Sequence, residues 1–139
     1  MASTAIVNIG KLVSGDYRTG LLGADTVLIR DGKIAEIGKQ ADMDITGVDH
    51  VVDVKGLILS PGLIDAHTHP VIGDWHPRHN VIGWMDGALH GGVTTIVSMG
   101  ASTIQGRPSD PAGVKALAIL GAKTGRNYRP GGGLKVHGG

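Results

Sequence analysis

The stretch from Pro61 to Pro70, Pro-Gly-Leu-Ile-Asp-Ala-His-Thr-His-Pro, constrains this chain more than any other. Side chains alternate along a strand, so Leu63, Asp65, His67 and His69 are expected on one face and Ile64, Ala66 and Thr68 on the other. Two imidazoles at i and i+2 can then converge on one ion. Pro61-Gly62 interrupts the run before it, and Pro70, which has no N–H to donate, stops the strand directly after the second histidine. The stretch therefore reads as a short buried strand with its histidines at the C-terminal end.

Before this stretch the chain reads as strands alone. Residues 4–13 are rich in β-branched side chains and end at the Ser14-Gly15-Asp16 turn signal, which predicts a first strand. Residues 26–30 and 33–38 flank Asp31-Gly32, and Asp-Gly between two such runs predicts a hairpin because both central residues of a type I′ turn take positive φ. Residues 50–54 and 57–60, around Lys55-Gly56, add two more strands. Residues 1–60 are thus expected to form a small antiparallel β layer.

After His67 strands and helices alternate. Residues 71–80 form a loop carrying Asp74, Trp75, His76, Arg78 and His79, and 81–89 is helical in tendency. His90 suits the exposed carbonyls of that helix's C-terminus, with Gly91-Gly92 as a left-handed cap. Residues 93–99 form a near-continuous β-branched run, as buried parallel strands do, and 100–109 is the loop after it. Asp110-Pro111 reads as an N-cap with proline at the first helical position, opening a helix over 112–124 that closes near Gly125. Residues 134–137 make a third short strand, with Lys135 and His137 on one face. The class is α/β, with a β-α-β-α-β order.

Composition limits what such a chain does alone. Of its 139 residues 41% are hydrophobic, but 24 glycines, two Trp, two Tyr and no Phe leave few large side chains for a core. A net charge of +1, with no basic run, argues against nucleic acid and anionic membranes as partners. With no cysteine, a metal must be held by nitrogen and oxygen donors. The first residues lack a basic segment followed by an apolar run, and no segment approaches the ~18 apolar residues of a membrane span, so the cytoplasm is the expected setting.

The Pro61–His69 run, following a segment of small strands, resembles the first barrel strand of the metal-dependent amidohydrolase superfamily. Asp74, Pro77-Arg78, Ala88-Leu89-His90-Gly91-Gly92-Val93-Thr94-Thr95, Gly106-Arg107-Pro108, Lys115-Ala116-Leu117-Ala118 and Lys135-Val136-His137-Gly138-Gly139 make the N-terminal third of its enamidase branch the most similar. The resemblance implies a (β/α)8 TIM barrel preceded by a β-sandwich that such proteins assemble from both chain ends. Residues 1–60 would be the N-terminal part of the sandwich and 61–139 the first strands and helices of the barrel. A complete barrel takes about 250 residues. Only part of one is present, so it is expected to be completed by another chain in a hetero-oligomer. A partner N-terminus is expected near Gly139, with cleavage after Gly139 and a separate gene as the two possible origins.

The resemblance also implies hydrolysis of a C–N bond in a small, generally cyclic amide (a lactam, imide or enamide) by a metal-activated water. His67 and His69 are the metal ligands it implies, for Zn²⁺ or another first-row ion, singly or in a pair. The remaining ligands and a proton-handling aspartate would come from later strands on the partner. Arg78 and Arg107 read either as grips on a substrate carboxylate or as solvated loop residues. His137 is a candidate for substrate or metal contact. Asp65 reads as a hydrogen-bond partner behind a ligating histidine or as an inward polar residue beneath the metal layer. Lys135 stands one strand earlier than the carboxylated lysine of the family, His76 and His79 read as surface residues, and His90 as a helix cap. The alternative reading of the whole chain is a non-catalytic metal-binding or assembly subunit of a hydrolase complex.

Overall fold

The computed structural model describes residues 2–68, 81–98, 108–129, 131 and 133–137. The chain divides into two units, Met1–Pro61 and Gly62–Gly139.

The first unit holds β1 (Ser3–Val7), β2 (Lys11–Val13), β3 (Leu21–Leu22), β4 (Thr26–Arg30), β5 (Lys33–Gly38), β6 (His50–Asp53) and β7 (Ile58–Leu59). They form two sheets, ordered β5-β4-β1-β6 and β3-β2-β7. The Asp31-Gly32 hairpin is present, with φ of 52° and 72° at the two turn residues and β4 antiparallel to β5.

The strand expected over 4–13 is two strands in two different sheets. The chain turns between them at Asn8, whose φ is 57°. The second segment makes the same turn at Lys55-Gly56, with φ of 51° and 81°, so the two segments cross from sheet to sheet side by side. Gly56 N–H donates to Asn8 O at 2.7 Å and Gly10 N–H to Leu57 O at 2.9 Å. A Cβ on Gly10 would lie 2.8 Å from the Gly56 carbonyl carbon, so only glycine fits this crossing. Because the segments travel together, β1 pairs with β6 and β2 with β7 in parallel. The layer expected to be antiparallel is therefore mixed.

Alternation gives the four-stranded sheet two apolar faces. Ala5, Val7 and Leu28 are covered by Met43, which follows a 3-10 turn at Gln40–Asp42. Ile9, Leu12 and Val27 form the other cluster, beside an apolar cavity of about 240 Å³ lined by Ile6, Ile29, Leu59 and Pro61 among others.

The second unit holds β8 (Leu63–Thr68), α1 (Val81–His90), β9 (Val93–Ser98), α2 (Pro111–Asn127) and β10 (Lys135–His137). Both strand pairs of its β10-β9-β8 sheet are parallel. Met85, Ile96 and Leu134 form the buried core, with Ala88, Val93, Tyr128 and Val136 around it. Asp110 caps α2 as expected, accepting from Gly113 N–H at 2.8 Å, with Pro111 in the first turn.

Helix α2 does not close near Gly125 but runs on to Asn127. Gly125 is buried, and a Cβ there would lie 2.8 Å from Val136 Cβ. The residue allows helix and strand to approach closely and does not stop the helix. Among the described residues, β8 and β10 each have one unpaired edge, and no helix is long and apolar enough to cross a membrane.

Candidate metal centre

Strand β8 begins where Gly62 lies against Thr94; a Cβ at position 62 would fall 2.6 Å from Thr94 Cβ. Leu63 N–H then donates to Gly92 O at 2.8 Å. Gly92 itself has φ of 85°, and its N–H donates to Leu89 O at 2.9 Å. That is the left-handed cap expected after α1, and His90 lies exposed in the last helical turn.

The β8–β9 ladder carries two offsetting irregularities. Leu63 is opposite Val93 and Ile64 opposite Thr95, so Thr94 is an extra residue on β9. Asp65 is opposite Ile96 and Thr68 opposite Ser98, so Ala66 and His67 together face Val97. The second is a bulge on β8. Bulges bend a strand and re-aim a side chain, and they are frequent beside active sites. Simple alternation from Leu63 to His69, as expected from sequence, is thus interrupted at His67. Within the bulge Asp65 Oδ1 accepts the His67 N–H at 3.1 Å.

Strand β10 is in regular register with β9: Lys135 faces Thr95, Val136 faces Ile96, and His137 faces Val97. Ile96 and Val136 pack on the helix side. Alternation therefore puts Lys135 and His137 on the face away from the helices, where both are exposed. Val97 has the Ala66-His67 bulge on one side and His137 on the other, so His67 and His137 stand at one level of the sheet, two strands or about 9.6 Å apart.

His69, Arg78 and Arg107 lie outside the described residues, as do Asp74, His76 and His79. Among the described residues, no three His, Asp or Glu side chains are grouped so as to hold a metal ion. Two features of this unit escaped the sequence reading. Gly62 and Thr94 set the entry of β8, a contact that no local signal announces. Tyr128, just past α2, donates its hydroxyl to Asp86 of α1 at 3.2 Å. Partial burial, then the Asp86 charge, holds the Tyr128 phenol above its ordinary value.

No protein-family model matches the chain. It is 48% identical over all 139 residues to the enamidase of Eubacterium barkeri, covering 36% of that protein. The crystal structure of an enamidase, described as a new member of the amidohydrolase superfamily, superposes on 99% of this chain with a TM-score of 0.83 and 47% identity, over 36% of its own length. The crystal structure of a D-hydantoinase is 34% identical with a TM-score of 0.54, over 69% of this chain and 20% of its own. An allantoinase of Escherichia coli is 38% identical over 79 residues, 52% of this chain and 15% of the relative. The chain spans about a third of the length of the enamidase it matches from end to end.

Proposed function

From a chain that belongs to the amidohydrolase superfamily, we propose that it supplies the first metal-binding strand of a hydrolase cutting a C–N bond in a small cyclic amide. The observation that carries this is the position of Asp65-Ala66-His67-Thr68, which closes the strand Leu63–Thr68 at its C-terminal end, in the first strand of a parallel β-α-β-α-β unit; His69 follows directly in the sequence. That end of the strands is where such barrels hold their chemistry. The relatives' names point to an enamide, to hydantoin and to allantoin, and the last two are ring compounds with amide C–N bonds.

Superfamily members are metal-dependent, and the donor chemistry here fits. Imidazole suits Zn²⁺ and neighbouring first-row ions. His67 and His69 would provide two donors, half of a tetrahedral set. An ion bound there supplies an acidified water, with pKa lowered to about 7, and a polarised carbonyl. His137, on the open face at the level of Val97, would meet the ring substrate from the side opposite His67, with Lys135 on the same face at the level of Thr95. Arg78 and Arg107 would hold a substrate carboxylate.

Three strands cannot close a barrel, and among the described residues β8 and β10 each carry an open edge. Leu63 and Ile64 of β8 are 58% and 67% exposed, which is apolar surface that further strands and helices would cover. The remaining strands, ligands and the proton-handling aspartate would come from polypeptide outside these residues, which as a second chain would make a cytoplasmic hetero-oligomer.

The test is to purify the tagged chain with whatever binds it, measure metal content, and assay a panel of lactams, imides and hydantoins. A partner of about 200–300 residues, sized from the rest of a barrel, with bound metal and ring opening of at least one compound, is the expected result. Metal and partner without turnover on any ring amide would instead establish the assembly-subunit reading. A complex without metal would refute both.

A further inference from the structure

We infer that Asp65 is a positioning residue that sets His67 through the backbone, by holding the bulge at Ala66-His67. The inference rests on the metal-strand reading above and adds a role for a residue which that reading leaves idle. Asp16, Asp44 and Asp53 also accept from the amide two residues on, at 3.0, 2.9 and 2.8 Å. Each of those bonds leads into a turn, where such a side chain commonly folds onto its own backbone. Asp65 makes the same bond, at 3.1 Å, inside the strand Leu63–Thr68.

A regular strand does not allow this, because its side chains stand perpendicular to the sheet while its amides point along it toward the neighbouring strands. The bond and the bulge fall on the same residues. A bulge leaves ladder groups to be satisfied by other means, and Asp65 satisfies the His67 amide. Relaxing the bulge would shift the register by one residue and turn the following side chains to the opposite face. His67 would then leave the open face on which His137 stands. Asp65 thus acts on the site through a neutral donor, the amide, and what it needs is an acceptor oxygen at that place and not a charge.

This separates it from a carboxylate that acts on an imidazole. Asp65→Asn keeps an acceptor oxygen in the same place, and Asp65→Ala removes it. In the assembled protein, zinc affinity is measured by chelator competition, and exchange of the His67 amide by hydrogen–deuterium labelling, with thermal melts to confirm folding. Asp65→Ala is expected to lose about 10–100-fold in zinc affinity, the usual effect of removing a group that orients a ligand, and to exchange faster at His67. Asp65→Asn is expected to match the wild type in both. Zinc affinity unchanged in Asp65→Ala would overturn the inference, and so would Asp65→Asn weakening as far as Asp65→Ala. If Asp65→Ala does not fold, the Asn variant decides alone. A wild-type assembly that takes up no zinc is a different outcome, which removes the metal-strand reading itself.

Discussion

Gly62→Ala should displace the metal strand at its root. The added Cβ would fall 2.6 Å from Thr94 Cβ, and Thr94 cannot swing clear because its branch point is itself the obstacle. Overpacking of this kind costs about 1–3 kcal/mol. Against it stands a gain of about 0.4–1 kcal/mol from stiffening the unfolded chain. The contact is closer than real Cβ atoms tolerate, so the upper part of the range applies and the net loss is about 2 kcal/mol. Urea denaturation of the assembled protein would read this as a midpoint lowered by about 1 M at an m-value near 2 kcal/mol/M. Thr94→Gly removes the obstacle, so the double variant should recover at least half of the loss, a coupling of about 1–2 kcal/mol. Additivity within about 0.5 kcal/mol, or a Gly62→Ala variant as stable as wild type, would refute the reasoning.

Ile96, with no exposed surface, is the centre of the second unit's core, and Ile96→Ala should cost about 2–5 kcal/mol in the same assay; a loss below about 1 kcal/mol would show that the packing there is loose. Asp49 and Asp53 are held below the ordinary carboxylate value of 3.8, first by the Ser3 and Lys55 amides respectively. A depressed folded pKa stabilises above the unfolded value and is lost as pH falls through the folded one. The first unit should therefore keep its stability down to about pH 3.8 and lose it below, and Asp49→Asn with Asp53→Asn should flatten that decline in urea titrations at stepped pH. His67→Ala or His69→Ala should abolish metal uptake and turnover while partner association by gel filtration stays unchanged. A double variant that remained active with normal metal content would end the catalytic assignment.

The elements legible in the sequence are those whose cause is local. Asp31-Gly32 takes positive φ at both positions because few other dipeptides do so at low cost, and the hairpin follows. Asp110-Pro111 opens α2 because an acceptor side chain and a missing N–H suit a helix start wherever they occur. The run after Pro61-Gly62 reads as a strand because an apolar stretch follows a chain-breaking pair, and Leu63–Thr68 is a strand. The similarity to enamidase over the whole chain agrees with what those same residues suggested.

What sequence did not reveal depends on partners far away in the chain. Residues 4–13 read as one strand since nothing in them records that Gly10 passes against Gly56. The parallel pairing of β1 with β6 and β2 with β7 follows from that crossing. Gly125 read as a helix stop because a glycine that ends a helix and one that admits a neighbouring strand look alike until Val136 is in place. The same holds at the candidate site. The sequence by itself determined that Asp65 and His67 lie on one short strand opening after Pro61-Gly62. Only the tertiary structure decided how His67 is presented, because a bulge is defined by register: Ala66 and His67 count as two against one only once Val97 lies opposite them.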